Sequence, residues 1–300
     1  MRRIRRVDAM RSLIARKMQA GVTLVEMIVA IVITGILLSL TSMFVRNQVD
    51  SYTDVARRTD LVDTANTAVR RMARDLATAL PNSPRVPQSN CVEYIPTKAG
   101  GRYRSESDGG ADPLNLTAAD TSFNMYGPQS ANASQQIAIN DLIAVYNLGI
   151  TGADAFAGDN TAAVAAPAPA WDVALQETKI TITSKLFPLA SPTNRFQVIP
   201  ASEQAVSYVC LGAGTSGSGD GQGTLYRYVR TLPYPASSPP ACPASVPAGT
   251  PVLASNVSAC TFTYTPGSLQ RTGLVSIALE IRRANEPVIL YQNVNVVNTP

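Results

Sequence analysis

The chain contains no histidine, and it is poor in charged and aromatic residues. Of its 300 residues, 15% are charged, 6% are aromatic and one is tryptophan. The absence of histidine excludes Ser-His-Asp and Cys-His nucleophiles, histidine-ligated zinc and a histidine pH switch. We therefore do not expect an enzyme, although a catalytic pair of carboxylates stays open because spatial proximity is invisible in a sequence.

Positive charge is concentrated at the N-terminus. Residues 1–21 hold seven basic residues against the single acidic residue Asp8, which gives a local charge of +6. Since the whole chain carries +4, the other 279 residues carry −2. A basic surface for nucleic acid would have to lie in the first 21 residues, and we expect no nucleic-acid partner.

An apolar run from Val22 to Val45 follows this basic segment. Glu26 is its single charged residue, and the 19 residues from Met27 to Val45 carry no charge. About 20 apolar residues in a helix span a bilayer, and basic residues before the run place the N-terminus in the cytoplasm. The run is not followed by the small-residue cleavage site of a secretory signal peptide. We predict a single-pass membrane helix over 22–45.

Two features of the apolar run bear on contacts with a neighbouring helix. A carboxylate in the bilayer is costly unless it is paired. Glu26 is therefore either an acid near the cytoplasmic interface or the partner of a positive charge on another chain. Gly35 and Ser39 form a small-xxx-small pair, which is a common close-packing face, although glycine is frequent in membrane helices anyway. Both alternatives stay open on the residues alone.

The string from Gly21 to Leu37, GVTLVEMIVAIVITGIL, resembles the N-terminal signature of type IV pilins and type II secretion pseudopilins. The resemblance implies cleavage by a prepilin peptidase after Gly21, N-methylation of Val22, and pairing of Glu26 with the amine of an adjacent subunit. It also implies partners, namely other pilin subunits, the inner-membrane assembly platform and the lipid bilayer. The chain departs from the family in having Val22 where phenylalanine is usual, and in lacking the helix-breaking proline of major pilins near 41–43.

The helical pattern continues beyond the membrane run. Apolar residues recur at three- and four-residue steps from Val45 to Leu80, and Pro81 ends the pattern. This predicts one helix from about Val22 to Leu80, whose second half is amphipathic. The predicted segments are a basic cytoplasmic leader at 1–21 that is removed, a membrane helix at 22–45, an amphipathic helix at 46–80, and a periplasmic β-rich domain at 81–300.

The outer domain has the pattern of antiparallel sheets. Ile277, Leu279 and Ile281 alternate with polar or small residues, as in a sheet with one covered face. The amphipathic half of the helix is the natural cover, so the predicted fold class is α+β, with one long helix packed on antiparallel β-sheets. The predicted strands lie at 91–96, 137–146, 178–184, 204–211, 224–231, 259–265, 273–282 and 288–297.

The four cysteines all follow the membrane run. An even number of cysteines in an oxidising periplasm predicts two disulfides, and the CxxC spacing of a cysteine zinc site is missing. Three pairings are possible. We prefer Cys91–Cys210, which join two predicted strands, together with Cys242–Cys260, which flank one short loop.

We expect no cofactor and no metal. The glycine-rich segment 212–223 lacks the lysine of a phosphate-binding loop. Residues 105–112 are acidic, but their spacing fails the pattern of a calcium loop.

Short stretches, among them 90–96 and 253–262, also resemble minor pilins of the mannose-sensitive haemagglutinin (MSHA) pilus. This resemblance implies a structural subunit in the bacterial inner membrane that initiates or caps a fibre, and an outer domain of 220 residues suits a tip position. The final third resembles the J-type minor pseudopilins of type II secretion, which are the alternative. A tip adhesin at the cell surface, with a ligand in loops 97–135 or 147–175, is the other.

Overall fold

The computed structural model describes residues 21–108, 111–234, 242–267 and 272–297. The chain divides into two compact units, Met1–Val55 and Ala56–Pro300, and each is described by itself. The predicted leader, apart from Gly21, lies outside the described residues.

A 54-residue helix, α1 (Leu24–Ala77), contains the membrane run and the amphipathic stretch. Its bounds lie within three residues of the predicted ones. The last turn is closed by the Thr78 hydroxyl, which donates to the carbonyl of Asp75 at 3.1 Å. Because Pro81 follows so soon, the chain cannot continue as a helix.

Fourteen strands are described after the helix. They are β1 (Arg85–Gln88), β2 (Cys91–Tyr94), β3 (Ala99–Arg102), β4 (Asp120–Tyr126), β5 (Leu142–Val145), β6 (Thr161–Ala163), β7 (Ala170–Asp172), β8 (Glu177–Lys185), β9 (Arg195–Ile199), β10 (Ala205–Leu211), β11 (Gly223–Arg230), β12 (Val252–Thr265), β13 (Gly273–Arg283) and β14 (Glu286–Val296). Two short 3-10 helices lie at Glu106–Asp108 and Ala133–Gln135. Each of the eight predicted strand segments overlaps one of these strands.

The strands form three sheets. The largest has seven strands in the order β1-β2-β10-β11-β12-β13-β14, and the others have the orders β3-β9-β5-β6 and β4-β8-β7. Every pairing between these strands is antiparallel. An apolar N-terminal helix followed by antiparallel sheets confirms the α+β class.

The second half of α1 covers one face of the seven-stranded sheet. Alternate residues of β13 point into this core, and Val275, Ile277, Leu279 and Ile281 are at most 1% exposed. The helix contributes a matching stripe of buried residues, namely Leu61, Ala65, Ala68, Val69, Met72 and Leu76. Burying one large aliphatic side chain contributes roughly 1.5–3 kcal/mol, so this contact is the main apolar core.

The two smaller sheets come from an insertion between two neighbouring strands of the large sheet. β2 and β10 pair directly, yet residues 95–204 separate them in the chain. The inserted strands have their own core, in which the rings of Phe123 and Phe196 meet edge to face at 5.5 Å. This insertion accounts for much of the size of the outer domain.

Asp75 fastens the end of α1 to the sheet. Its carboxylate accepts hydrogen bonds from the hydroxyls of Tyr94, at 3.0 Å, and Tyr208, and from Arg227 Nε at 3.4 Å. Arg227 also binds Glu203 through two bonds of 2.7 and 2.8 Å. Burial raises the pKa of both tyrosines, which keeps them protonated as donors. An acid in the last turn opposes the helix dipole, so these contacts offset an unfavourable position.

Replacing Asp75 should destabilise the outer domain. In Asp75→Ala, two buried tyrosine hydroxyls lose an acceptor, and each unsatisfied buried group costs about 1–3 kcal/mol, whereas Arg227 keeps Glu203. We expect a lower urea midpoint for the full chain in detergent, followed by the near-ultraviolet circular dichroism of its tyrosines, two of which contact Asp75. Asp63→Ala, which removes an exposed acid from the same helix, is the control. Equal midpoints for the two variants would contradict the fastening role.

Candidate functional site

The start of α1 lies beside the predicted cleavage site. Gly21, Val22 and Thr23 precede the helix, and the Thr23 carbonyl accepts the first helical hydrogen bond, from Met27, at 3.1 Å. The backbone amide of Glu26 donates to Thr23 Oγ1 at 3.2 Å. Threonine at the N-cap with glutamate three residues later has the spacing of a capping box.

The T-x-x-E spacing offers Glu26 a local role that the sequence analysis missed, although the bond described is from its backbone amide and not from its carboxylate. The signal was present as T-x-x-E directly before an apolar run. A carboxylate in the first turn also complements the helix dipole. The capping role does not need a second chain, so it is a rival explanation for the presence of an acid here.

The membrane run presents its side chains outward. Residues 21–46 are exposed throughout, and α1 is long and apolar enough to cross a bilayer. No ion pair joins the Glu26 carboxylate to another part of the chain that the structure describes. An unpaired acid at the edge of an apolar helix is available for a charge from outside the chain.

One face of the membrane run has a shallow groove beside Glu26, lined by both small and large side chains. The groove includes Glu26, Ala30, Thr34 and Gly35. A Cβ added at Gly35 would meet no atom within 4 Å, so packing inside the chain does not require the glycine. The structure brings Gly35 and Glu26 to the same groove, whereas Ser39 is not among the residues that line it. Small residues on such a face let two helix backbones approach closely.

All four cysteines form disulfides, but the preferred pairing was wrong. Cys91 is bonded to Cys242 and Cys210 to Cys260, with Cα–Cα distances of 6.1 and 6.3 Å. These distances lie within the usual range for disulfides.

The register of β2 against β10 explains the correction. Cys91 lies opposite Val209 rather than Cys210. Because successive side chains of a strand point to opposite faces, Cys91 and Cys210 face away from each other. Cys91 meets Cys242 in a small cluster with Val209, whereas Cys210 belongs to the core under the helix. The register of β2 against β10, to within one residue, therefore determines which cysteines form disulfides.

The predicted adhesin loops contain a cavity of about 250 Å³ whose lining includes Lys98, Tyr126 and Gln129. Its polar groups are largely engaged already, since Gln129 Oε1 accepts from the Ile137 amide at 2.8 Å and Ser130 binds Gln135. Trp171 is not part of its lining. Across the residues described, there is also no group of three or more Cys, Asp or Glu side chains arranged to hold a metal ion.

Comparison with known proteins finds one match, at the N-terminus. The family model of the prokaryotic N-terminal methylation motif matches residues 16–42. No curated protein matches the chain, and no solved structure matches it either.

This motif indicates a protein like the type IV pilins and pseudopilins. Proteins with the motif are typically structural rather than enzymatic. The motif also implies processing by a prepilin peptidase and assembly with other pilins, and together with the apolar helix it suggests membrane anchoring.

The disulfide pairing is testable by mass mapping. Trypsin leaves Cys242 and Cys260 on one peptide, because no lysine or arginine lies between them. Chymotrypsin, which cuts after Leu253, should be added to separate them. Without reduction, we expect the peptide of Cys91 joined to that of Cys242, and the peptide of Cys210 joined to that of Cys260. A Cys91–Cys210 crosslink would contradict the register of β2 and β10.

Proposed function

We propose that this chain is a minor pilin-like subunit of an MSHA-type IV pilus, similar to MshO, which initiates or caps the fibre. In this proposal a prepilin peptidase cleaves after Gly21 on the cytoplasmic side, and Val22 becomes the methylated N-terminus. Residues 22–45 stay in the inner membrane, and residues 81–300 fold in the periplasm. The chain performs no chemistry of its own.

The observation that carries the proposal is Glu26 in a groove on an apolar helix face, four residues after Val22. Cleavage would create a positive amine at Val22, and Glu26 of a neighbouring copy is an acid that forms no ion pair within the described residues of its own chain. Two charges that are each costly in an apolar bundle become tolerable as a pair. The groove through Ala30, Thr34 and Gly35 supports close approach of a neighbouring helix.

Features of the outer domain support a terminal position. The insertion of residues 95–204 enlarges the domain, and a domain of this size would obstruct a further subunit above it. Two disulfides are typical of an oxidising compartment such as the periplasm. The enlarged domain favours a subunit that leads a fibre over one that repeats along it, whereas the disulfides bear only on the compartment.

A J-type minor pseudopilin of type II secretion remains the alternative, because the N-terminal motif serves both machines. Deletion of the gene in its native bacterium separates the two. A pilus subunit should be needed for surface pili, whereas a pseudopilin should be needed for secretion of exoproteins into the medium. Normal piliation with lost secretion would favour the pseudopilin.

Processing is tested on the purified membrane form. We expect mass spectrometry to find a chain that begins at Val22 with one methyl group on its amine. Deleting the prepilin peptidase gene should leave the leader in place. An intact Met1 in the wild-type bacterium would overturn the pilin-like proposal.

Charge pairing and capping make different predictions for Glu26. Glu26→Gln keeps a capping residue at this helix position but removes the charge, so we expect at least about tenfold fewer pili, equivalent to roughly 1.4 kcal/mol or more. Thr23→Ala removes the cap and keeps the charge, and should leave piliation near the wild-type number. Pili are counted by electron microscopy, with membrane insertion checked by immunoblot. The opposite ranking would assign Glu26 to capping alone.

A further inference from the structure

β14 is an open edge of the large sheet. It pairs with β13 along eleven positions, from Gly273↔Val296 to Arg283↔Glu286. Within the described ranges, no strand pairs with its other side. The usual protection of an edge is confined to the start of β14, at Glu286 and Pro287, and the segment from Val288 to Val296 contains no charge, no glycine and no proline. Proteins normally blunt such edges with lysine, proline or bulges.

The turn of the hairpin shows which backbone groups of β14 face outward. Ala284 and Asn285 form a two-residue turn with φ of 50° and 65°, so Arg283 and Glu286 are the first hydrogen-bonded pair. Pairs then alternate along an antiparallel ladder. The unpaired amides therefore belong to Ile289, Tyr291, Asn293 and Asn295. Pro287, which has no amide hydrogen, falls on the same outward-facing set.

Two arginines of α1 stand beside this edge. A groove of about 580 Å³ is lined by Thr67, Arg70, Ala73, Arg74 and Gln292 of β14. Arg70 and Arg74 are exposed, and neither pairs with an acid among the residues described here. Farther along the same helix, Arg58 does have a partner, Glu286, at 3.5 Å.

We propose that the β14 edge binds an extended acidic segment of a partner protein, which adds as an eighth strand to the sheet. Backbone pairing to the outward amides supplies the affinity, as in other cases of strand addition. Alternate side chains of an added strand lie on the helix side, about 6.6 Å apart. Arg70 and Arg74 are one helical turn apart, about 6 Å along the axis, so acids at alternate positions match their spacing. The proposal does not depend on cleavage after Gly21 or on the machine that the chain serves.

The test uses the full chain in detergent and a fluorescein-labelled peptide of four Thr-Glu repeats. We expect saturable binding by fluorescence anisotropy, at least tenfold tighter than for the matched peptide of four Thr-Lys repeats. Hydrogen exchange at Ile289, Tyr291 and Asn293 should slow when the acidic peptide is bound. No binding, or equal binding of both peptides, would overturn the proposal.

Two pairs of variants separate backbone pairing from charge. Tyr291→Pro removes one outward amide without breaking the ladder to β13, and should weaken peptide binding at least tenfold. Tyr291→Thr loses the same ring but keeps the amide, and should bind within about threefold of wild type. Arg70→Glu combined with Arg74→Glu should also weaken binding at least tenfold. Arg71→Glu changes an exposed arginine that does not line the groove, and should not.

If the β14 edge binds something other than an acidic segment, these experiments give different results. A chain that dimerises by sedimentation, and becomes monomeric as Tyr291→Pro, would assign the edge to a second copy and overturn the acidic partner. Loss of binding to anionic lipid vesicles in the double arginine variant, with peptide binding unchanged, would also overturn it. The urea midpoint of each variant should lie near that of wild type. Unchanged peptide binding in Tyr291→Pro would overturn strand addition whatever its stability.

Discussion

The seven-stranded sheet depends on the helix that covers its inner face. Long antiparallel strands with strict alternation, such as β13, must bury one row of aliphatic side chains or expose it to water. Ala65 and Ala68 bring the helix close to the sheet, and Leu61, Met72 and Leu76 fill the space on either side. Asp75 then holds the C-terminal end of the helix against the sheet, because its carboxylate accepts hydrogen bonds from donors on three different strands. The same helix cannot cover the outer face or the open edge, so these surfaces are left for other contacts.

Much of this arrangement was predictable from the sequence, because it depends on simple periodic patterns of apolar residues. The 3.6-residue stripe of α1 and the two-residue alternation of β13 each follow from which face is buried. The membrane helix and the Gly21–Glu26 motif were equally predictable. The first depends on an unbroken run of apolar residues, and the second on the spacing of residues within one short segment. The prediction of the N-terminal site therefore rests on local sequence, and the methylation-motif match covers the same region.

The remaining features required three-dimensional register. The pairing of four cysteines turned on Cys91 lying opposite Val209, and no spacing in the chain encodes which face a side chain takes. The predicted strand 137–146 shrinks to Leu142–Val145, because Asn140 has a φ of 73° and its neighbour Asp141 turns back to bind the Ala138 amide. Strands such as β3, whose sequence is AGGR, show no alternation of apolar and polar residues. They therefore cannot be predicted before the strands that pair with them are known. The Arg70–Arg74 groove beside β14 likewise joins two parts of the chain that no local rule connects.

The order of the strands also sets the order in which the protein can be built. Helix residues near the start of the chain share one core with Val288, Val294 and Val296 near its end. During synthesis the apolar stripe of the helix is therefore made long before the C-terminal strands that complete its core. The inserted sheets can fold earlier, since they have a separate core. Contacts between residues so far apart in the sequence carry a large loop-closure cost, so we expect the core under the helix to form late and a truncation of the final strand to destabilise the packing of the N-terminal helix.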